Sequence, residues 1–408
     1  MKMIMKKSIG FLSLILFLSL NQSLAKGATI QPVERSAGKL NISIDPRMEL
    51  LSTVQLLSNY PVINRKLSYS KEIVKYFEPF SSQKAVMLTD SLTQKYGFGY
   101  DAPVLFMLYS SQLSELEPQV AFLDYLKQRD FLMSRSGRGD NLEQYRKSIK
   151  QFAEISDFET FWNSKVPFYN QILDLTVTEI GRMDFAKTVE DYFNETQESY
   201  NIIIAPSFRG GYGPRIPASE GKYNIYACLP TEKNKRNIPY LDGKNLLFWI
   251  WHEFGHSFVN PEVEKYTDRV ASFDKMFDPI RNAMKRQATG DWETCVKEHI
   301  VRAVHIRLIE QYFGSKLSKN FLKFELKRGY IYIEPLLEKL KDFENKRDSN
   351  NITFSEFFPE LINVMESQYN MEYWKHVNTN FREPGLFSRL LALFKLQRSY
   401  KKFIRQQS

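Results

Sequence analysis

Cysteine and histidine are both scarce in this 408-residue chain, which has two of the first and five of the second. Cys228 and Cys295 are no disulfide framework in a chain this long, and their spacing fits no cysteine zinc site, so neither is assigned to chemistry. Pairing in an oxidising compartment and survival as two buried thiols both stay open. No internal repeat is found. Gly210, Gly211 and Gly213 do not lead into a helix, which excludes a phosphate cradle and leaves a turn. The apolar run at residues 9–20 is too short for a comfortable membrane span, and no cysteine follows it to carry a lipid anchor.

That run does read as the core of a secretory leader. Lys2, Lys6 and Lys7 precede it, and Ser23-Leu24-Ala25 offers a small-x-small cleavage site, so residues 1–25 are expected to be a signal peptide and the mature chain secreted or periplasmic. Losing the leader lowers the formal charge from +9 to +6. Residues 386–408 hold Arg389, Lys395, Arg398, Lys401, Lys402 and Arg405 without an acid. The rest is therefore close to neutral, and a nucleic-acid partner is not expected, because the basicity is local rather than a stripe across a fold. For this tail, residues 384–408, weak association with an anionic membrane or an acidic partner stands beside a solvated or loosely docked helix.

With 43% hydrophobic and 14% aromatic residues the chain can bury a large core. Residues 26–198 read as a helical region. Met48, Leu50, Leu51, Val54 and Leu57 recur at helical spacing, further helices are expected at 70–80, 83–96 and 117–128, and after a polar break at 134–140 come helices at 141–162 and 167–180. Residues 199–383 are expected to form the core domain. Residues 201–205 and 223–228 read as strands, the second placed as an edge strand that binds an extended substrate. Residues 345–351 read as a linker, and Thr353 with Glu356 as a capping box that opens a helix to about 369.

Residues 245–261 carry the chemistry. Leu246, Leu247, Phe248, Trp249, Ile250, Trp251, Phe254, Phe258 and Val259 leave no polar face except His252, Glu253 and His256, so the helix should be buried and should stop at Pro261. Residues i and i+4 share a face, so His252 and His256 can direct ring nitrogens at one zinc ion, while Glu253, about 100° round, stands beside the ion as a base. A buried pair satisfied by ordinary hydrogen bonds is the bland alternative. For a third ligand, Glu298 is the first choice on a strong helix at 292–313, where Glu298, Arg302 and His305 make one polar stripe; Glu293, Glu262 and Glu264 are rivals. His305 is the expected donor to a developing oxyanion, and Tyr226 the second choice.

His252-Glu-Phe-Gly-His256-Ser-Phe-Val-Asn-Pro261, followed by Glu298-His-Ile-Val-Arg302, resembles the gluzincin class of zinc metallopeptidases. More narrowly, the Phe-Val-Asn-Pro continuation, with Met48-Glu-Leu-Leu51 and Gly97-Phe-Gly-Tyr-Asp101-Ala, is similar to an uncharacterised family of secreted bacterial proteins carrying a domain of unknown function. The resemblance implies His252, His256 and Glu298 as ligands and Glu253 as base. The expected fold is α+β and predominantly α-helical, a zincin-like catalytic core with a small antiparallel sheet beside a buried zinc helix. The expected function is a zinc-dependent hydrolase acting on a peptide or protein substrate. A non-catalytic binding or surface protein with structural zinc is the alternative from another class.

Overall fold

The computed structural model describes residues 30–370 except 119–125, 138, 220, 232 and 236. The expected leader, most of the helix expected at 117–128 and the basic tail lie outside the described residues.

The protein is α+β and predominantly helical. Its main sheet has the order β1-β2-β3-β5-β4, with β1 Val33–Ala37, β2 Leu40–Ile44, β3 Ser199–Ile204, β4 Arg215–Pro217 and β5 Tyr223–Leu229. β1 and β4 run antiparallel to their neighbours, whereas β2, β3 and β5 are mutually parallel, so the sheet is mixed rather than antiparallel as expected. Parallel neighbours need long crossovers. Here the helices between residues 46 and 193 form the first of them, and β2 pairs with β3 across that whole insertion. The Ile202-Ile203-Ile204 run of β3 is buried, as expected of a strand covered on both faces.

Three sequence expectations need correction. The β1–β2 hairpin turns at Gly38, whose φ of +58° suits glycine, and it lies within residues 26–198, which were expected to be helical. Instead of ending near 162, the helix after the polar break breaks at Asp157, which sits at φ 51°; Gly139–Ile155 and Phe158–Ile180 flank it, and Pro167 lies inside the second. Residues 345–350 are not a linker, because the helix Ile333–Asn350 runs through them and ends at the left-handed Asn351. The capping box holds: the Thr353 amide donates to Glu356 Oε2 at 2.7 Å, and the Glu356 amide donates to Thr353 Oγ1 at 3.2 Å.

Gly243–Glu264 is a helix whose Ile250, Trp251, Phe254, Phe258, Val259 and Val263 are buried. Phe254 meets Tyr200 of β3, Phe258 stacks on Phe193 at 4.2 Å, and Trp251 Nε1 donates to Thr188 Oγ1 at 2.7 Å. Each such side chain contributes roughly 1.5–3 kcal/mol by leaving water. The helix is thereby held rigidly. Pro261 does not stop it but lies within its last turn. The helix Trp292–Phe313 packs against it, capped by Asp291, whose Oδ1 accepts from the Thr294 amide at 2.8 Å.

Candidate metal centre

His252 and His256 stand one turn apart on the buried helix, and their Nε2 atoms are 3.2 Å from each other. Glu298, brought in by the facing helix, places Oε1 3.4 Å from His256 Nε2 and Oε2 3.7 Å from His252 Nε2. Donor atoms bound at about 2.0–2.1 Å to one tetrahedral zinc are about 3.3–3.4 Å apart, so these three fit the ion with little movement. Among the described residues they are the group of His, Cys, Asp and Glu side chains that could hold a metal, all ligand atoms lying within 4.8 Å of one another.

The rival carboxylates are engaged elsewhere. Glu262 pairs with Lys265 at 2.7 Å, Glu264 with Arg215 at 3.0 Å and Lys297 at 3.1 Å, and Glu293 with Lys297 at 2.7 Å. Tyr226 lies on β5, where the charges acting on its phenol are Arg47 and Asp45. His305 is buried behind the pair, its ring centroid 6.3 Å from that of His252 and walled by Phe248, Trp251 and Phe321.

A second layer of residues fixes the first. Asn260 Oδ1 lies 3.2 Å from His256 Nδ1, which gives the Phe-Val-Asn-Pro continuation a physical role: an i+4 side chain orients the second histidine. Glu298 Oε2 accepts from Arg302 Nη2 at 2.8 Å, and Arg302 Nη1 donates to Glu325 Oε1 at 2.9 Å. The guanidinium also lies 4.2 Å over the Tyr330 ring. Arg302 was legible as part of a polar stripe. Glu325 was not, because it comes from another helix, Ser315–Arg328.

Burial and Arg302 together hold His252 well below its ordinary range, so it is a neutral imidazole, the form a metal needs. Burial opposes charge on His256 too, but contact with Glu298 outweighs it and raises that residue. For Glu298 burial favours the protonated form, yet Arg302 and the two histidines prevail and keep it ionised. Glu253 is outside the donor group. Burial pushes its carboxyl up to about 7, in the range of a general base at neutral pH.

The glycines that sequence spacing left as a turn lie against this carboxylate. A Cβ on Gly211 would fall 2.5 Å from Glu253 Oε1 and 2.5 Å from Trp249 Cε3, and one on Gly213 would fall 2.4 Å from the Glu253 carbonyl oxygen. Only glycine permits that approach. Between them Tyr212 makes a two-way backbone bridge to Cys228, at 3.0 and 2.9 Å, and its buried phenol lies near enough to Glu253 to feel its charge. Tyr212 and then β4 therefore cover β5, so the sheet's edge beside the site is β4 and not residues 223–228 as expected. No signal in the chain distinguished these glycines from an ordinary turn.

Comparison with curated proteins and with solved structures finds no match. A family profile described as "Domain of unknown function (DUF4932)" matches residues 40–364, a span that holds β2 to β5 of the main sheet, both site helices and every residue of the histidine-carboxylate group. The chain belongs to this domain-of-unknown-function family.

Proposed function

We propose that the protein is a secreted or periplasmic zinc-dependent hydrolase of gluzincin type whose substrates are peptides or proteins. The observation that carries this reading is the set of three donor atoms at tetrahedral spacing with a fourth group, Glu253, buried next to them but outside the set. A structural zinc site recruits four protein ligands, whereas a catalytic one keeps a position open. Three donors gather here among the described residues, which supports the catalytic alternative.

His252, His256 and Glu298 would hold the ion. Bound there, zinc would supply Lewis acidity, acidifying a water and polarising a carbonyl. Glu253, with its pKa near 7, is suited to take a proton from the attacking water and return it to the leaving amine. The glycine loop packs its backbone directly against that carboxylate, and β4 offers an edge on which an extended substrate backbone can align. A donor to the oxyanion must face the substrate; Tyr212, beside Glu253, is better placed for this than His305, which is enclosed by aromatic rings.

Glu253→Gln tests the reading, because it preserves size while removing the base. Zinc content should be unchanged and cleavage of a peptide library should fall by at least about a hundredfold. Equal cleavage by the two proteins would refute the role.

A further inference from the structure

The loop before the helix Asp101–Leu108 has no part in the chemistry so far, yet it holds an unusual backbone conformation. Tyr100 sits at φ 57°, ψ −118°, a region that residues with a side chain avoid and that persists only when its surroundings impose it. Here the imposing group is Tyr60. Its Oη accepts the Tyr100 amide proton at 2.7 Å, and a Cβ added to Gly99 would stand only 3.4 Å from the same oxygen. The result is that Tyr100, 42% exposed, and the neighbouring Asp101 both reach solvent.

Asp101 is near the metal group. Its charge acts on His256 and on Glu253, and Tyr212 of the glycine loop feels Asp101, Tyr100, Tyr60 and Glu253 alike. Asp101 is exposed, and the protein around it pushes its carboxyl up. Arg135 is the cation that acts on it most strongly, but its Nη1 is engaged with the Gly97 carbonyl at 3.1 Å, and among the described residues Asp101 forms no ion pair.

We infer that Asp101, presented by the strained Tyr100, is a specificity-determining residue that binds a cationic group of the substrate, so that the preferred substrates are peptides carrying an ammonium or guanidinium close to the bond cleaved. An exposed carboxylate without a counter-ion, beside a catalytic centre and flanked by an exposed aromatic ring, is the arrangement that recognises a cation by charge and by its apolar stem. The cation is either a free α-amino group or a Lys or Arg side chain; both present the same chemistry. This inference rests on the hydrolase reading.

The test uses the zinc-loaded mature protein and four synthetic hexapeptides of one sequence: a free amino terminus without basic side chains, the acetylated form, the acetylated form with one Lys, and that form with norleucine in place of Lys. Cationic peptides should show kcat/KM about tenfold or more above their neutral partners, and Asp101→Asn should bring that ratio down to about one. Which of the two cationic peptides is preferred identifies the source of the charge. A preference that survives Asp101→Asn, or a loss shared equally by all four peptides, overturns the inference. Calorimetric binding of the same peptides to zinc-loaded Glu253→Gln protein separates this from failure of the hydrolase reading. If the wild type cleaves nothing, charge-selective binding that is lost in Asp101→Asn/Glu253→Gln still supports the cation site, and binding without charge selection overturns it.

Discussion

Arg302 Nη2 donates to Glu298 Oε2 at 2.8 Å, which commits that oxygen and leaves Oε1, 3.4 Å from His256 Nε2, as the atom free to serve a metal. The third donor would thus be presented to a metal by a buried cation that fixes its other oxygen. The cation is in turn satisfied by Glu325, whose carboxylate also takes Arg328 Nη1 at 3.1 Å. Ions this deep cost several kcal/mol each unless paired, so the chain Glu298–Arg302–Glu325–Arg328 stands or falls together.

Removing one member should show this. Arg302→Met leaves the buried Glu298 without its cation and Glu325 with Arg328 as its remaining partner, and should destabilise the protein by roughly 3–5 kcal/mol. Freed from its hydrogen bond, Glu298 should also bind zinc more weakly, by about 10–100-fold. Urea unfolding and zinc titration against a chelator read the two effects separately. Unchanged stability and affinity would mean that the network is ornamental.

Gly211→Ala tests the close approach of the glycine loop. The added methyl would overlap Glu253 Oε1 and Trp249 Cε3, each 2.5 Å away, and Glu253 is buried. Zinc content should persist, stability should fall by roughly 1–3 kcal/mol, and turnover should fall by up to about a hundredfold from the shift of Glu253. Wild-type turnover in this variant would show that the loop does not position the carboxylate.

A pH effect remote from the site is expected from Glu49. It is buried at the first long helix, where its Oε2 accepts from Tyr69 Oη, which lies 2.7 Å from Tyr169 Oη. Burial raises its carboxyl from 4.5 to about 7 against the opposing hydrogen bonds. Below 4.5 both folded and unfolded states are protonated. As pH rises toward 7 only the unfolded state ionises, so stability is lost across that window, by roughly 3 kcal/mol in total. Glu49→Gln cannot ionise and should lose less stability than the wild type between about pH 4.5 and about pH 8 in urea titrations. Parallel curves for the two proteins would contradict the assignment.

How much of this was legible follows from where each signal resides. His252 and His256 lie one turn apart in an apolar helix, and Glu298, Arg302 and His305 share one stripe, so local periodicity was enough to read them. Glu325, Tyr330, Tyr212 and Asp101 reach the site from separate elements, and no local period ties them to it. The β1–β2 hairpin was lost because five-residue strands directly before a helix give only two or three alternations. Residues 345–350 misled in the other direction: they are polar because they form exposed last turns, and Lys, Arg and Asn on a solvated face do not end a helix. Pro167 and Pro261 likewise sit inside helices whose packing outweighs the lost amide.

The central claim is an open three-donor zinc site, and X-ray absorption at the zinc edge of the purified mature protein tests it most directly. One zinc per chain is expected, with two imidazoles and one carboxylate oxygen at about 2.0–2.2 Å and one further light atom that exchanges with added ligands. His252→Ala, His256→Ala or Glu298→Ala should each remove or weaken that signal. Absence of zinc after loading, or a fourth ligand that proves to be a protein side chain, would contradict the account.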